Sequence, residues 1–438
     1  MKKIITSFTA LCFVILLTAQ ETVYPAGPQI QTTVITNAIV HIGNGQVLEH
    51  ASVEFKNGKI SRVGAGIIPD QGANIVDAKG KHVYPGLILT NTNLGLVEIN
   101  NVRSTIDYRE IGDYNPNVSS LVAYNTDSKV INTLRSSGIL LANIVPQGGI
   151  LSGSSSVVQL DAWNWEDAAY KKDGGIHLNM PLMMTRPGRG FGGGRGGPQQ
   201  PSRDPVKEGL DQVSDMKSFF MEAKAYAENP AKEETNLKFD AVKGLFNKSQ
   251  KLYVHANTVR QMLVALEFVK EFGVDMVIVG GSESWQIADL LKQNNVAVIL
   301  SSPHNLPTLA DDDVDQPYKT AAQLQKAGVL FVINDDDGQT RGRNLSYLAG
   351  TAAAYGLTKE EALQAITLNA AKVMGIADKT GSIEVGKDAN IIISEGDILD
   401  MRTSNVTHAF IQGRDINLDD KHKQLNERYK KKYNQKPF

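Results

Sequence analysis

Short segments of alternating polar and apolar residues, separated by turns, make up residues 31–83. The dipeptide Asn57-Gly58 lies between two such segments and is a typical β-hairpin turn. A second β pattern occupies residues 381–393 and 406–411 near the other end of the chain. Chain termini often lie close together, so these late strands are expected to complete the first unit. The pattern predicts a small composite β-sandwich.

The middle of the chain alternates apolar β runs with helical patterns. Eight candidate strands are found, at residues 83–91, 139–146, 156–162, 175–180, 251–256, 276–281, 296–301 and 329–335. Between the fifth and sixth strands, apolar residues recur at helical spacing until Gly273, which is a typical helix stop. Eight strands with intervening helices predict an α/β fold, a (β/α)8 TIM-like barrel, whose active site lies at the carboxyl ends of the strands.

The first residues predict a leader. Lys2-Lys3 precede an apolar run over residues 4–17, which is too short for a membrane span and is typical of a signal peptide ending at Ala19. Cys12 is the only cysteine and lies in this leader, so the mature chain would contain no disulfide. We expect an exported protein, periplasmic or secreted.

Domain boundaries follow from these patterns. We expect the β-sandwich to be built from residues 20–84 and 384–417, and the barrel from residues 85–383. The barrel carries a Gly/Arg-rich segment, residues 186–205, whose composition predicts a flexible insertion. The basic residues 418–438 are expected to form a solvated tail.

Composition limits the classes of partner. The 438 residues carry a formal charge of -2, which gives no electrostatic argument for binding nucleic acid or an anionic membrane surface. No stretch after the leader is long and apolar enough to span a bilayer. A small-molecule substrate or ligand is the expected partner. The composition is compatible with a homo-oligomer as well as with a monomer.

Polar side chains at the predicted strand ends are the candidate site residues. Asn91 and Asn93 follow the first strand and, one residue apart, are expected to point the same way. Glu98 follows shortly after them. His255 ends the fifth strand, and the acidic run that includes Asp335 ends the eighth. That run could contain an acid that transfers protons, bind an amine or bind a cation. Alternatively, nearby arginines could simply neutralise its charges.

Four motifs together resemble the amidohydrolase superfamily, and in particular its imidazolonepropionase-like branch. They are YPGLI leading into an X-Thr-X triplet, Val-His-Ala on a later strand, ITLNAAK, and GSIEVGKDANIII. The resemblance implies a barrel with a composite β-sandwich and a metal site at the strand ends. It also implies hydrolysis of carbon–nitrogen bonds, chiefly in amides and cyclic amides.

The metal ligands implied by the resemblance are only partly present. The first-strand His-X-His falls on Asn91-Thr92-Asn93, the fifth-strand histidine matches His255, and the sixth-strand histidine falls on Gly280. A carboxamide is a weak ligand for zinc-like ions and glycine offers no side chain. We therefore do not expect a conventional zinc site. At most, we expect one weakly bound divalent metal.

The eighth-strand aspartate of the family matches Asp336, or Asp335 if the register slips by one residue. The resemblance implies that this carboxylate moves a proton during hydrolysis. Two functions follow. The first is a hydrolase of non-peptide carbon–nitrogen bonds, with Asp336 as acid/base and His255 as its partner. The alternative is a non-catalytic ligand-binding protein on the same scaffold, in which Asn91 and Asn93 donate hydrogen bonds to the ligand.

Overall fold

The computed structural model describes residues 23–183, 204–229, 234–335 and 341–435. The predicted signal peptide (residues 1–19) and residues 186–203 of the Gly/Arg-rich segment lie outside the described residues. Asp336 also lies outside them.

Two sheets and a set of surrounding helices make up the described chain. The strands are β1 (Thr33–His41), β2 (Val47–Lys56), β3 (Lys59–Gly64), β4 (Asn74–Asp77), β5 (His82–Pro85), β6 (Leu87–Thr92), β7 (Ile139–Ile144), β8 (Leu151–Gln159), β9 (Ala169–Asn179), β10 (Lys251–Ala256), β11 (Met276–Gly280), β12 (Ala297–Leu300), β13 (Phe331–Ile333), β14 (Ile391–Ser394), β15 (Val406–Ile411) and β16 (Arg414–Asp415). The α-helices are α1 (Lys129–Ser136), α2 (Trp165–Ala168), α3 (Pro205–Glu228), α4 (Leu237–Phe246), α5 (Val259–Phe272), α6 (Ala288–Gln293), α7 (Gln316–Lys326), α8 (Leu345–Ala354), α9 (Lys359–Ala365), α10 (Leu368–Met374) and α11 (Lys421–Lys432).

The first sheet joins the two ends of the chain. Its strand order is β16-β15-β14-β5-β1-β2-β3, with β4 paired to β1, so that β14 runs antiparallel to β5 and completes the N-terminal unit. The predicted composite β unit is confirmed, and its strands are hydrogen-bonded as one continuous sheet. Its core includes Phe55 and Phe410, whose ring centroids are 5.0 Å apart.

The second sheet is the barrel, with strand order β6-β7-β8-β9-β10-β11-β12-β13. The predicted mixed α/β fold with an eight-stranded barrel is confirmed, with one departure. β8 is antiparallel to both β7 and β9 and begins at Leu151, earlier than predicted. Only residues 145–150 separate β7 from β8, and this link is too short for the crossover that a parallel pair requires.

The side chain of Asn334 links the first and last barrel strands. Its Oδ1 accepts hydrogen bonds from the backbone N–H groups of Thr90 and Asn91, both at 3.1 Å. Its Nδ2 donates to the backbone oxygen of Asn91, also at 3.1 Å. The fully buried carboxamide of Asn334 therefore satisfies the hydrogen-bonding backbone groups at the end of β6 and fixes the position of the Asn91 backbone.

Helix α10 covers the end of the barrel at which the strands begin. Side chains inside the barrel, such as Ile88, Val277 and Val332, pack with Val373 of this helix. Tyr253 Oη donates to the backbone oxygen of Val373 at 3.1 Å. Because this end is filled, the open mouth of the barrel is at the carboxyl ends of the strands.

The basic C-terminal segment, for which a solvated tail was expected, contains a helix, α11. Asp420 caps it by accepting from the N–H groups of His422 and Lys423, and none of its residues is buried. No helix within the described parts of the chain is both long enough and apolar enough to cross a bilayer.

Candidate functional site

A cavity of about 410 Å³ lies at the carboxyl ends of the barrel strands. It is lined by Asn91, Pro146, Gln147, Asn179, His255, Asn257, Val279, Gly280 and Ser301. Four of these side chains are carboxamides, and none of the described side chains that line it carries a formal charge once His255 is neutral. The cavity therefore offers uncharged hydrogen-bonding groups to a ligand.

Several of these groups are available to a ligand. The side chains of Asn91 and Ser301 make no hydrogen bond to another described residue, although both line the cavity. Asn179 is held differently, because its Nδ2 donates to the backbone oxygen of Gly149 at 2.9 Å and to Ser152 Oγ at 3.0 Å. The carboxamide oxygen of Asn179 is then its remaining hydrogen-bonding group.

His255 is paired with a second histidine that the sequence reasoning missed. Strands β9 and β10 are parallel neighbours in which His177 lies opposite Tyr253, and Asn179 lies opposite His255. Nδ1 of His177 is 2.9 Å from Nε2 of His255. The ring of His177 stacks on Tyr253 with a centroid distance of 4.9 Å, which fixes its plane. His177 and Asn179 are two residues apart on β9, so their side chains point to the same face of the sheet. This two-residue spacing was the signal that could have identified His177.

Both imidazoles are neutral at physiological pH. Burial lowers the pKa of His255 to about 4. Burial, with a smaller contribution from His255, lowers the pKa of His177 well below its usual value. In a neutral pair, one ring nitrogen donates the shared hydrogen bond and the other accepts it.

The surroundings of His177 favour one tautomer. Its Nε2 is buried without a hydrogen-bond partner among the described residues. Burying an unpaired N–H donor is rarer than leaving a lone pair unsatisfied. We therefore assign the proton of His177 to Nδ1, from which it is donated to Nε2 of His255. The proton of His255 is then on its own Nδ1, which makes that nitrogen a hydrogen-bond donor for a ligand.

Gly280 has a left-handed conformation, with φ of +103°. A Cβ at this position would lie 2.3 Å from Oδ1 of Asn257. The same oxygen accepts a hydrogen bond from Ser282 Oγ at 3.1 Å. The carboxamide of Asn257 thus occupies the place of a side chain at position 280.

Other predicted site residues lie at different places. Asn93 does not line the cavity with Asn91, because the pairing of β6 shifts register between Leu89 and Thr92 and the strand then ends. Oδ1 of Asn93 is buried without a partner among the described residues. Glu98 lies outside the cavity, where its carboxylate accepts hydrogen bonds from Asn125 Nδ2 and Ser128 Oγ.

The acidic end of β13 is only partly described. Asp335 is buried, and its backbone oxygen accepts from Asn334 Nδ2 at 3.0 Å. It does not belong to the residues that line the cavity. Asp336 lies outside the described residues, so its role stays a prediction.

The described residues do not fit a conventional metal centre. Within residues 23–183, 204–229, 234–335 and 341–435, no group of three or more His, Cys, Asp or Glu side chains is arranged to hold a metal ion. Nε2 of His255 is engaged by His177, position 280 has no side chain, and Asn91 offers only a carboxamide. A catalytic zinc requires about three protein ligands of nitrogen, sulfur or carboxylate type.

Comparisons with known proteins agree with this architecture. Residues 209–416 match the model of the amidohydrolase family. The chain is 38% identical over 82 residues to an imidazolonepropionase of Flavobacterium johnsoniae, covering 18% of this chain and 20% of that protein. It is 36% identical over 109 residues to an imidazolonepropionase of Flavobacterium psychrophilum, covering 23% of this chain and 26% of that protein. The matches thus span about a fifth to a quarter of the length of these curated relatives.

The likeness to solved structures covers far more of the chain. The crystal structure of an amidohydrolase from Thermotoga maritima superposes with a TM-score of 0.74 and 25% identity, over 88% of this chain and 99% of that one. The chain is similar to the amidohydrolase superfamily, and in particular to its imidazolonepropionase-like branch, as its sequence motifs predict.

Proposed function

We propose that the protein is a hydrolase of carbon–nitrogen bonds other than peptide bonds, acting on small uncharged amides or cyclic amides. The observation that supports this most is the cavity at the barrel mouth, with its four carboxamides and a neutral imidazole. Amide oxygens and N–H groups are matched by such uncharged donors and acceptors. A charged substrate would be desolvated there without a described counter-charge.

Polarisation of the substrate carbonyl is assigned to two side chains. Nδ1–H of His255 and the amide group of Asn91 are uncharged donors in the same cavity. Donors aimed at the oxygen of a tetrahedral intermediate stabilise the negative charge that develops on it. The hydrogen bond from His177 orients the imidazole of His255, and the side chain of Asn334 fixes the backbone of Asn91 before substrate arrives.

Proton transfer is assigned to Asp336 by its match to the family's eighth-strand aspartate. In this role the carboxylate takes a proton from water while the water oxygen bonds to the carbonyl carbon. The same proton then passes to the leaving nitrogen as the carbon–nitrogen bond breaks. Water and amide are thereby converted to a carboxylic acid and an amine.

A divalent metal, where one is present in this superfamily, would polarise the carbonyl and lower the pKa of a bound water. The described donor set does not fit such an ion, so no step of the proposal depends on one.

Hydrolysis of a defined panel tests the proposal. The chain from Gln20 onward would be incubated with 2-pyrrolidone, hydantoin, 2-imidazolidinone and simple primary amides, and products followed by proton NMR. We expect turnover of at least one compound, reduced about 100-fold or more by Asp336→Asn and by His255→Phe. Asp311→Asn, in an exposed loop, is the matched control and should keep full activity. Binding of the panel without turnover would contradict the hydrolase and favour the non-catalytic ligand-binding alternative.

A further inference from the structure

A second, smaller cavity adjoins the first. It has a volume of about 50 Å³ and shares Gly280 and Ser301 with the wall of the larger cavity. Its apolar wall comes from the ends of β12 and β13, from the following loop and from helices α7 and α8. These apolar residues are Leu300, Pro303, Leu306, Pro307, Pro317, Tyr318, Ala321, Ile333 and Ala352. We call this space the aliphatic pocket.

The polar groups in its wall are largely satisfied within the protein. Asp312 accepts a hydrogen bond from the backbone N–H of Leu309 at 3.0 Å. Gln316 donates to Thr320 Oγ1 at 3.1 Å and to Gln323 Oε1 at 2.8 Å. Since these groups already have partners, the free surface of the pocket is mainly apolar and suits a hydrocarbon group.

The volume limits what the pocket can hold. A cavity needs about 10 to 15 Å³ for each water-sized group, so 50 Å³ accommodates about three to five carbon atoms. An isopropyl or isobutyl group matches that size. A phenyl ring, with six carbons, exceeds it.

The shared wall connects the two spaces. Gly280 and Ser301 lie at the ends of the neighbouring strands β11 and β12, and the backbone N–H of Ser301 donates to the oxygen of Gly280 at 3.1 Å. Gly280 has no side chain of its own, and the polar carboxamide of Asn257 lies beside it. A ligand that bonds to the hydroxyl of Ser301 therefore borders both cavities.

We propose that the substrate is an uncharged amide carrying a branched aliphatic group of three or four carbons. Its amide bonds to Asn91, His255 and Ser301, and its aliphatic group occupies the aliphatic pocket. This inference rests on the proposed function, because it places the amide in the cavity assigned to hydrolysis.

Equilibrium binding, rather than turnover, tests the inference. Acetamide, isobutyramide, isovaleramide and benzamide would be titrated by saturation-transfer NMR. We expect affinity to rise about fourfold for each carbon added from acetamide to isovaleramide, which is the effect of burying one methylene group. Benzamide should bind no better than isobutyramide.

Two variants fill the pocket in different ways. Ala321→Leu adds carbons on the buried face of α7, and Thr308→Trp adds a ring from an exposed loop position where folding is not at risk. Both should abolish the preference for isovaleramide over acetamide. The matched controls are Ala322→Leu and Ala310→Trp, neighbours that do not line the pocket and should keep the preference.

The outcomes separate this inference from the proposed function. Equal affinity for acetamide and isovaleramide, or a preference that survives Thr308→Trp, would overturn the aliphatic pocket even if amides are hydrolysed. A preference that Thr308→Trp removes, without any hydrolysis of the bound amides, supports the pocket and contradicts the hydrolase.

Discussion

Nδ1 of His177 lies 2.9 Å from Nε2 of His255, between two parallel strands of the barrel. The imidazole of His255, which matches a metal ligand of the superfamily, is therefore hydrogen-bonded to the buried ring of His177. Because burial lowers the pKa of both rings, the pair is uncharged at neutral pH. This relationship turns His255 into an oriented hydrogen-bond donor.

Removing the donor of this pair should weaken ligand binding. His177→Phe keeps an aromatic ring against Tyr253 but leaves Nε2 of His255 without its partner. An unsatisfied buried group costs about 1 to 3 kcal/mol, so urea unfolding should show a loss of that order and amide affinity should fall about tenfold. Tyr253→Phe is the control, since it removes the bond to Val373 but leaves the histidine pair intact. Unchanged amide affinity in His177→Phe would show that the pair does not orient His255.

The buried histidines should make stability depend on pH in a defined window. In the unfolded chain histidine titrates near 6.5, whereas the folded pKa of His255 is lowered to about 4. Between these values the unfolded state binds more protons, so the free energy of unfolding is highest above pH 6.5 and falls as pH drops toward 4. The contribution of His255 is on the order of 3 kcal/mol over this range.

Urea unfolding at pH 7.5, 6.5, 5.5 and 4.5 measures this dependence. His255→Gln should make it less steep and leave the part due to His177, while His422→Gln, on the exposed helix α11, should leave it as in the wild type. Amide binding should be constant between pH 6 and 8, because His255 stays neutral there. A wild-type slope unchanged by His255→Gln would contradict the lowered pKa.

A buried ion pair should be essential for joining the composite sheet to the barrel. Asp161, which follows β8, is paired with Arg135 and with Arg414 of β16, the latter at 2.9 Å. Asp161 also accepts from the backbone N–H of Ala26 at 2.8 Å. Asp161→Asn leaves two arginines without their counter-charge and should lower the free energy of unfolding by about 3 kcal/mol or more.

Thermal unfolding followed by circular dichroism would measure that loss. Asp400→Asn, which breaks an exposed pair with Arg402, is the matched control and should change stability little. A similar small change in both variants would show that the buried pair is dispensable.

Replacing Asn334, whose side chain links the first and last barrel strands, should destabilise the protein. Asn334→Leu has a similar volume but leaves the backbone N–H groups of Thr90 and Asn91 unpaired in a buried place. We expect a loss of about 2 to 4 kcal/mol in urea unfolding, together with weaker amide binding because Asn91 is no longer fixed. Asn405→Leu removes an exposed carboxamide bonded to Glu395 and serves as control. Asn334→Leu with normal stability would mean that the strands close without this side chain.

Much of the fold was predictable because buried strands are marked by local apolar runs. The run that ends at His255 and the one that leads to Asn91 both identify strand ends without any knowledge of the rest of the chain. The antiparallel β8 was less visible, since its first residues are rich in Ser and Gly, although the short link before it carried the signal.

The site itself depends on contacts between distant parts of the sequence. His177 and His255 are far apart along the chain, and only strand pairing brings their nitrogens together. The carboxamide of Asn257 occupies the side-chain position of Gly280 because of a left-handed backbone that the sequence does not specify. Such relationships arise from tertiary packing, so motif spacing alone identified the region but not its hydrogen bonds.

The central claim is that this cavity recognises amides through uncharged groups, without a tightly held ion. Isovaleramide binding and zinc content would be measured on the same sample, first after loading with Zn²⁺ and desalting, then after dialysis against a chelator. We predict well under one zinc per chain, unchanged in His255→Ala, and an affinity that chelation does not alter. One equivalent of zinc that His255→Ala removes, with binding lost on chelation and restored by Zn²⁺, would contradict the account.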